Sequence, residues 1–234
     1  MNMALNNLRE QFTKFVAPLV NKLGFLDPNH VSWFSLFIAG VSAWCFATAT
    51  ADAEGARKLI VATLLFAFAA FCDALDGQIA RVHNKDSLYG DFLDHTIDRI
   101  VDFGIIVAIG VNTAWLTSPH LGYMAGLATL MGSYMGTQSQ SVGLGRNYGG
   151  FGRADRMAIT FIGCLAAIWQ ANYGINDYGQ IPLFNVEINA LSIVLLISFL
   201  GGIYSFLTRF ITARKELVAM ISAPLGGDDS GDDN

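Results

Sequence analysis

Residues 59–98 read LIVATLLFAFAAFCDALDGQIARVHNKDSLYGDFLDHTID, and this stretch decides the fold. It opens as an apolar run suited to a bilayer and then accumulates aspartates while keeping its helical character. Leu59 to about Val82 reads as one membrane span, polar in its last third. About Gly90 to Leu116 reads as another, polar in its first third. The connection from Val82 to Tyr89 is short, which makes the two helices antiparallel neighbours. Asp73 and Asp76 are i, i+3, and Asp94 and Asp98 are i, i+4, so each pair shares one helix face. Asp73 precedes Arg81 by eight residues, roughly 12 Å of helix. Asp94 and Asp98 lie a comparable distance in from the other side of the turn. The four carboxylates are therefore expected to converge slightly below one membrane surface, facing each other across a single helix pair.

The remainder of the chain agrees with a membrane setting. Of 234 residues, 53% are hydrophobic, 17 are Phe and only 14% are charged, against about 25% charged in an average soluble chain. Mean hydropathy is +0.44. So few charges cannot cover a globule of this size, and the expected fold is an all-α integral membrane protein with six transmembrane helices and an N-terminal amphipathic surface helix. A net charge of −5 excludes a broadly basic nucleic-acid binder. Cys45, Cys72 and Cys164 lie in apolar runs without metal-ligand spacing and read as small buried residues.

The start of the chain lacks the compact apolar run and cleavage site of a signal peptide. Leu5, Leu8, Phe12, Phe15, Val16, Leu19 and Leu23 recur at helical spacing, with Arg9, Glu10 and Lys14 off that face. This predicts a surface helix over about 3–24, kinked at Pro18. Asp27-Pro28-Asn29 breaks the chain and caps the first span. The spans are placed at about 31–51, 59–82, 90–116, 120–145, 154–172 and 188–208, within one membrane domain over 1–222. The acidic, Gly-rich tail over 223–234 reads as disordered. Six spans put both termini on one side. That side collects eleven of the Lys and Arg residues, against Arg57 and Lys58 on the other, with Arg99 inside a span. Both termini are therefore expected to be cytoplasmic at the cell membrane, with the carboxylates opening to the same side.

Each ionised carboxylate at depth costs on the order of 3 kcal/mol. A purely structural role for Asp73, Asp76, Asp94, Asp98 and Asp102 together is therefore implausible. Arg81 and Arg99 are expected to neutralise two of them, and the others need a cation or water. Hard oxygen donors without Cys or His at metal spacing suit Mg2+, Mn2+ or Ca2+ rather than zinc. His95 adjoins Asp94 but is expected to point about 100° away on the helix. Gly77, Gly90 and Ala80 keep the face open, and Arg81 places a positive charge beside it. A cation, a positive side chain and a small-residue opening describe a phosphate site. They suit phosphoryl transfer at the membrane surface, in which a carboxylate removes a proton from an attacking hydroxyl.

The pattern Asp73-x-x-Asp76-Gly77-x-x-Ala80-Arg81, eight residues, Gly90-x-x-x-Asp94-x-x-x-Asp98 resembles the signature of the CDP-alcohol phosphotransferase family at every specified position. Pro28-Asn29-His30-Val31-Ser32 is similar to the short Pro-Asn stretch that often precedes the family's first span. The resemblance covers roughly residues 1–215. It implies transfer of a phosphatidyl-type group from a CDP-linked lipid to a small polar alcohol, with release of CMP, in phospholipid biosynthesis. It also implies that Asp73, Asp76, Asp94 and Asp98 bind Mg2+ or Mn2+, one ion or two, and that Asp98 is the catalytic base. Asp73, Gly77, Ala80 and Arg81 would lie against the CDP-lipid, and the enzyme would be a homodimer. Asp91 and Asp102 stand outside the signature.

The stretch 143–156 reads GLGRNYGGFGRADR. Its three arginines, Arg146, Arg153 and Arg156, suit a phosphate on the acceptor. A Gly-Gly run followed by Arg153-x-x-Arg156 is similar to members of the family that use inositol phosphate. Those members usually carry basic residues on span four, where Gly136, Thr137 and Gln138 stand in this chain. Ser139, Gln140 and Ser141 offer neutral hydrogen bonds to a polyol instead. Inositol phosphate is the expected acceptor and glycerol 3-phosphate the rival. Intramembrane carboxylates also mark cation transporters. A transporter more often spreads them over several spans near the midplane, whereas here they are confined to one helix pair near one face.

Overall fold

The computed structural model describes residues 13, 16–145, 149–174 and 178–222. Most of the expected surface helix, Arg146 and the acidic tail lie outside the described residues. A helical stretch over residues 16–22 (α1) is followed by α2 (Pro28–Thr48), α3 (Ala53–Val82), α4 (Leu88–Gly110), α5 (His120–Ser141) and α6 (Arg153–Tyr173). A two-stranded antiparallel hairpin, β1 (Gln180–Ile181) with β2 (Val186–Glu187), leads into the long α7 (Ala190–Ser222). α2 packs on α3 and α4, α4 on α5, α3 on α6, and α7 on α5 and α6.

The helix ends are set by local chemistry. Asp27 caps α2 by accepting the Asn29 backbone N–H at 2.9 Å, with Pro28 in the first turn where no N–H is needed. Asp52 caps α3 by accepting the Gly55 N–H at 2.8 Å, so α3 begins before the apolar run and carries Glu54, Arg57 and Lys58 in its first turns. α4 stops at Gly110, short of Leu116. Beyond it the Asn112 side chain donates to the Phe46 and Ala49 carbonyls at 2.7 and 2.8 Å and turns the chain over the end of α2. α7 runs on past Arg209 to Ser222. The hairpin before α7 has no counterpart among the sequence expectations, because two-residue strands leave no periodicity to detect.

α2, α3 and α7 are each long and apolar enough to cross a membrane. The distribution of side chains is that of a lipid-embedded bundle. Phe37, Leu64, Ile162 and Leu165 are exposed, whereas Ser42, Thr160, Ser192 and Ser198 are buried. The Ser42 hydroxyl donates to the Ala62 carbonyl at 2.7 Å across α2 and α3. Without water to compete, such interhelical bonds and close small-residue contacts hold helices together. Gly110 and Gly122 are the clearest contact: a Cβ on either would lie 2.4 Å from the Cα of the other. Gly201 and Gly202 serve contacts within the chain, against the Phe151 ring and Ala128.

The described part of α1 packs on protein. Val16 and Val20 are buried against Leu75 and Ile79 of α3. Leu19, expected on the apolar face, is exposed, while Val16 and Val20 are the pair that the contact with α3 buries. Lys85 ties the segment down by donating to the carbonyls of Gly24 and Leu26 at 2.7 and 2.8 Å.

Candidate active site

Asp73, Asp76, Gly77, Ala80 and Arg81 come from the last turns of α3. Gly90, Asp94 and Asp98 come from the first turns of α4, whose start is fixed by Ser87 accepting the Gly90 N–H at 3.0 Å. All eight line a single cavity of about 700 Å³. Asn29 and Ser32 of α2, Lys85 and Asp86 between α3 and α4, Asp91 of α4 and Arg153 of α6 are among the other residues that line it. The Arg81 guanidinium lies over Gly77, 3.3 Å from where a Cβ would stand, so the missing side chain makes room for the arginine as well as for a ligand.

The carboxylates meet different partners. Asp76 is 4% exposed and accepts the Ser32 hydroxyl at 2.5 Å. Asp73 and Asp98 are bridged by one guanidinium nitrogen, Arg153 Nη1, at 2.9 and 2.5 Å. Asp94, His95 and Asp98 each offer one ligand atom within 4.8 Å of the others. His95 does not point away as expected. Its ring folds back along α4, with Nε2 3.6 Å from Asp91 and Nδ1 3.8 Å from Asp94. The four signature carboxylates thus share one cavity, but only Asp94 and Asp98 approach each other with His95 as a compact trio.

The ion pairs differ from expectation as well. Among the described residues, the guanidiniums paired with these carboxylates belong to Arg153 and Arg156 of α6, not to Arg81 and Arg99. Asp102 is buried, with Arg153 Nε at 3.4 Å and a short contact to Arg156 Nη2. α6 packs against α3, a contact that no spacing along α3 and α4 encodes.

A second cavity of about 230 Å³ opens on the other side of Arg153. Arg99, Arg153, Arg156 and Arg209 line it, together with His95, Asp98, and Ser133, Gly136, Thr137 and Gln140 of α5. Asp98 and Arg153 belong to both cavities. Of the neutral residues expected to meet a polyol, Gln140 lines the pocket. Ser139 and Ser141 donate to the carbonyls of Met135 and Gln138 within their own helix. Arg209 holds the loop before α6, donating to the carbonyls of Gly149 at 2.9 Å and Gly132 at 2.7 Å. The Ser205 hydroxyl accepts the Phe151 N–H at 2.8 Å and donates to the Phe151 carbonyl at 2.9 Å, and Arg156 Nη1 reaches the same carbonyl at 3.2 Å.

Arg209 lines the smaller cavity although the sequence does not single it out for the site, and Arg99 lines it without the ion pair expected of it. Ser32, expected only as the end of the Pro-Asn stretch, lines the larger one. Asp102 lines neither and meets the site through Arg153 and Arg156. Asp102 carries a usable signal, since it continues the face of Asp94 and Asp98 at i+4. Ser32 is marked only by the Pro-Asn stretch it ends, and Arg209 carries no signal that local spacing could reveal.

Known proteins resemble this chain in sequence and fold. A family model described as CDP-alcohol phosphatidyltransferase matches residues 25–198. The archaetidylinositol phosphate synthase of Methanothermobacter thermautotrophicus is 33% identical over 162 residues, spanning 69% of this chain and 77% of that protein. The phosphatidylinositol phosphate synthase of Cutibacterium acnes is 26% identical over 221 residues, spanning 90% and 98%. The crystal structure of Mycobacterium tuberculosis phosphatidylinositol phosphate synthase with CDP-DAG bound superposes with a TM-score of 0.67 at 21% identity, over 86% of this chain and 94% of that one. The same enzyme in complex with manganese and citrate matches with a TM-score of 0.65. These likenesses show the shared fold.

Proposed function

The chain belongs to the CDP-alcohol phosphatidyltransferase family, and from that premise we propose that it transfers a phosphatidyl-type group from a CDP-linked lipid to inositol phosphate. One observation carries this reading. Asp98 stands in the wall between a large cavity lined by every signature residue and a smaller one lined by four arginines. A base placed there reaches a hydroxyl held on one side and a diphosphate held on the other.

The donor's diphosphate and nucleotide take the larger cavity, against Asp73, Gly77, Ala80 and Arg81. The acceptor's phosphate takes the smaller one, gripped by Arg153 and Arg156, while Gln140 and Thr137 bond the polyol. We include Arg146 in the acceptor-phosphate set on its place in the loop sequence, although it lies outside the described residues. Asp98 takes the proton of the acceptor hydroxyl. The hydroxyl oxygen forms a bond to the lipid-bearing phosphorus, the bond from that phosphorus to the bridging oxygen breaks, and CMP leaves with that oxygen. Carboxylate oxygens from two helices around one cavity, without a thiolate, are a donor set that fits Mg2+ or Mn2+. Asp73, Asp76, Asp94 and Asp98 would hold one ion or two, which when bound offset charge on the diphosphate.

Six spans, α2 to α7, complete the proposal. α4, α5 and α6 have 23, 22 and 21 residues, and about 20 suffice to cross a bilayer. The Lys and Arg asymmetry supports cytoplasmic termini and a site that opens to the cytoplasm. The membrane domain over 1–222 followed by a disordered acidic tail, and the homodimer implied by the resemblance, belong to the same reading.

The test is CMP release from a CDP-lipid by the purified protein with Mg2+ or Mn2+, supplying labelled inositol phosphate, glycerol 3-phosphate and serine side by side. Inositol phosphate is expected to be used best, and preferential use of either rival overturns the acceptor assignment. Asp98→Asn should lower turnover by about 10²- to 10⁴-fold, the usual worth of a general base. Near-normal turnover in that variant refutes the role of Asp98. Arg153→Ala and Arg156→Ala should raise the KM for the phosphorylated acceptor far more than that for the CDP-lipid.

A further inference from the structure

Ser32 lies in the second turn of α2, is 6% exposed and lines the larger cavity. Its hydroxyl has two acceptors in reach, Asp76 Oδ2 at 2.5 Å and the Pro28 carbonyl of its own helix at 3.1 Å. A hydroxyl has a single proton to give. The nearer acceptor takes it, at 2.5 Å against 3.1 Å. The bond crosses from α2 to α3, between residues 44 apart in the chain. Asp76 itself is 4% exposed, so water has little access to replace the hydroxyl.

We infer that Ser32 is a positioning residue for the cation site. Its hydroxyl occupies Oδ2 of Asp76, a side chain that lines the cavity, and so fixes the carboxylate with Oδ1 as its ligand atom. The inference rests on the reading of Asp76 as a metal ligand. α2 contributes no carboxylate to the cavity, yet through Ser32 it sets the rotation of one. A carboxylate locked in this way is pre-oriented for a cation, and one without its donor must be ordered when the ion binds. Partners of this kind behind a metal ligand are typically worth 10- to 100-fold in metal affinity.

The experiment is a Mn2+ titration of the full chain in detergent micelles, without either substrate, with free Mn2+ read by electron paramagnetic resonance. Ser32→Ala should raise the Mn2+ dissociation constant about tenfold or more, whereas Ser32→Thr, which keeps the hydroxyl, stays within about twofold of the parent. Ser32→Val differs from Ser32→Thr in that hydroxyl and should behave like Ser32→Ala. The Thr and Val pair therefore decides the matter even if Ser32→Ala does not accumulate. Parent-like Mn2+ binding in both Ser32→Ala and Ser32→Val overturns the inference, as does equal weakening in Ser32→Thr and Ser32→Val. Asp76→Asn keeps the two readings apart. If it binds Mn2+ like the parent, Asp76 is not a ligand and the underlying assignment falls. If it loses Mn2+ while Ser32→Ala does not, the role of Ser32 alone is refuted.

Discussion

Arg153→Met keeps much of the arginine stem and removes a charge on which three carboxylates depend. Its guanidinium lies 2.9 Å from Asp73 and 2.5 Å from Asp98 through Nη1, and 3.4 Å from Asp102 through Nε. The three side chains are 16%, 13% and 6% exposed, so solvent screens them weakly. Removing one partner of a buried ion pair typically costs about 3–5 kcal/mol. At about 2–4 °C per kcal/mol for a chain of this size, the thermal midpoint in EDTA should fall by about 6–20 °C. A divalent cation offsets the same negative charge, and a ligand at a hundredfold over its Kd stabilises by about 2.7 kcal/mol. Mn2+ should therefore recover much of the loss, and its stabilising shift should be larger in the variant than in the parent, where guanidinium and ion compete for Asp73 and Asp98. Thermal melts of both proteins in EDTA and in saturating Mn2+ measure this directly. Equal Mn2+ shifts in the two, or a variant as stable as the parent in EDTA, would show that guanidinium and ion do not share these carboxylates.

The packing and the caps set further outcomes. Gly122→Ala puts a Cβ 2.4 Å from the Gly110 Cα, so overpacking of about 1–3 kcal/mol outweighs the gain of about 1 kcal/mol from replacing a helical glycine. Gly104→Ala meets nothing within 4 Å and should stabilise by up to about 1 kcal/mol. Melting temperatures that rank the two variants the other way contradict the close crossing of α4 and α5. Asp52 is held below the ordinary Asp value, first by the Gly55 N–H and then by the Thr50 hydroxyl. A depressed carboxylate stabilises fully above its unfolded pKa, and that contribution fades as pH falls through the folded one. Asp52→Ala should therefore cost more at pH 7 than at pH 3, and a cost independent of pH would refute the charged cap.

The residues that could be read from the chain are those whose partners lie on the same helix or the next one. Asp73 with Asp76, and Asp94 with Asp98, share faces by spacing alone, and a short connection forces α3 and α4 together; the cavity between them contains all eight signature positions. The Asp27 break before α2 is legible for the same reason, since a cap and the N–H it accepts are two residues apart. Local spacing fails where a partner comes from far along the chain. Arg81 is the obvious counter-charge because it is near in sequence, yet Arg153, 80 residues from Asp73, makes the contact. The helical angle of His95 directs it away from Asp94, but that angle places only the Cβ and leaves the ring free to fold back toward Asp91.

The sequence by itself specifies a membrane chain with an acidic helix pair and the signature of its family, because hydrophobic runs and helical periodicity are local properties. The packing of α6 and α7 against that pair decided which arginines meet the carboxylates, and it split the site into two cavities that share Asp98. That outcome depends on which distant helices touch and how closely glycines such as Gly110 and Gly122 let them approach. Contacts of this kind are selected by shape in three dimensions, and no repeat along the chain records them.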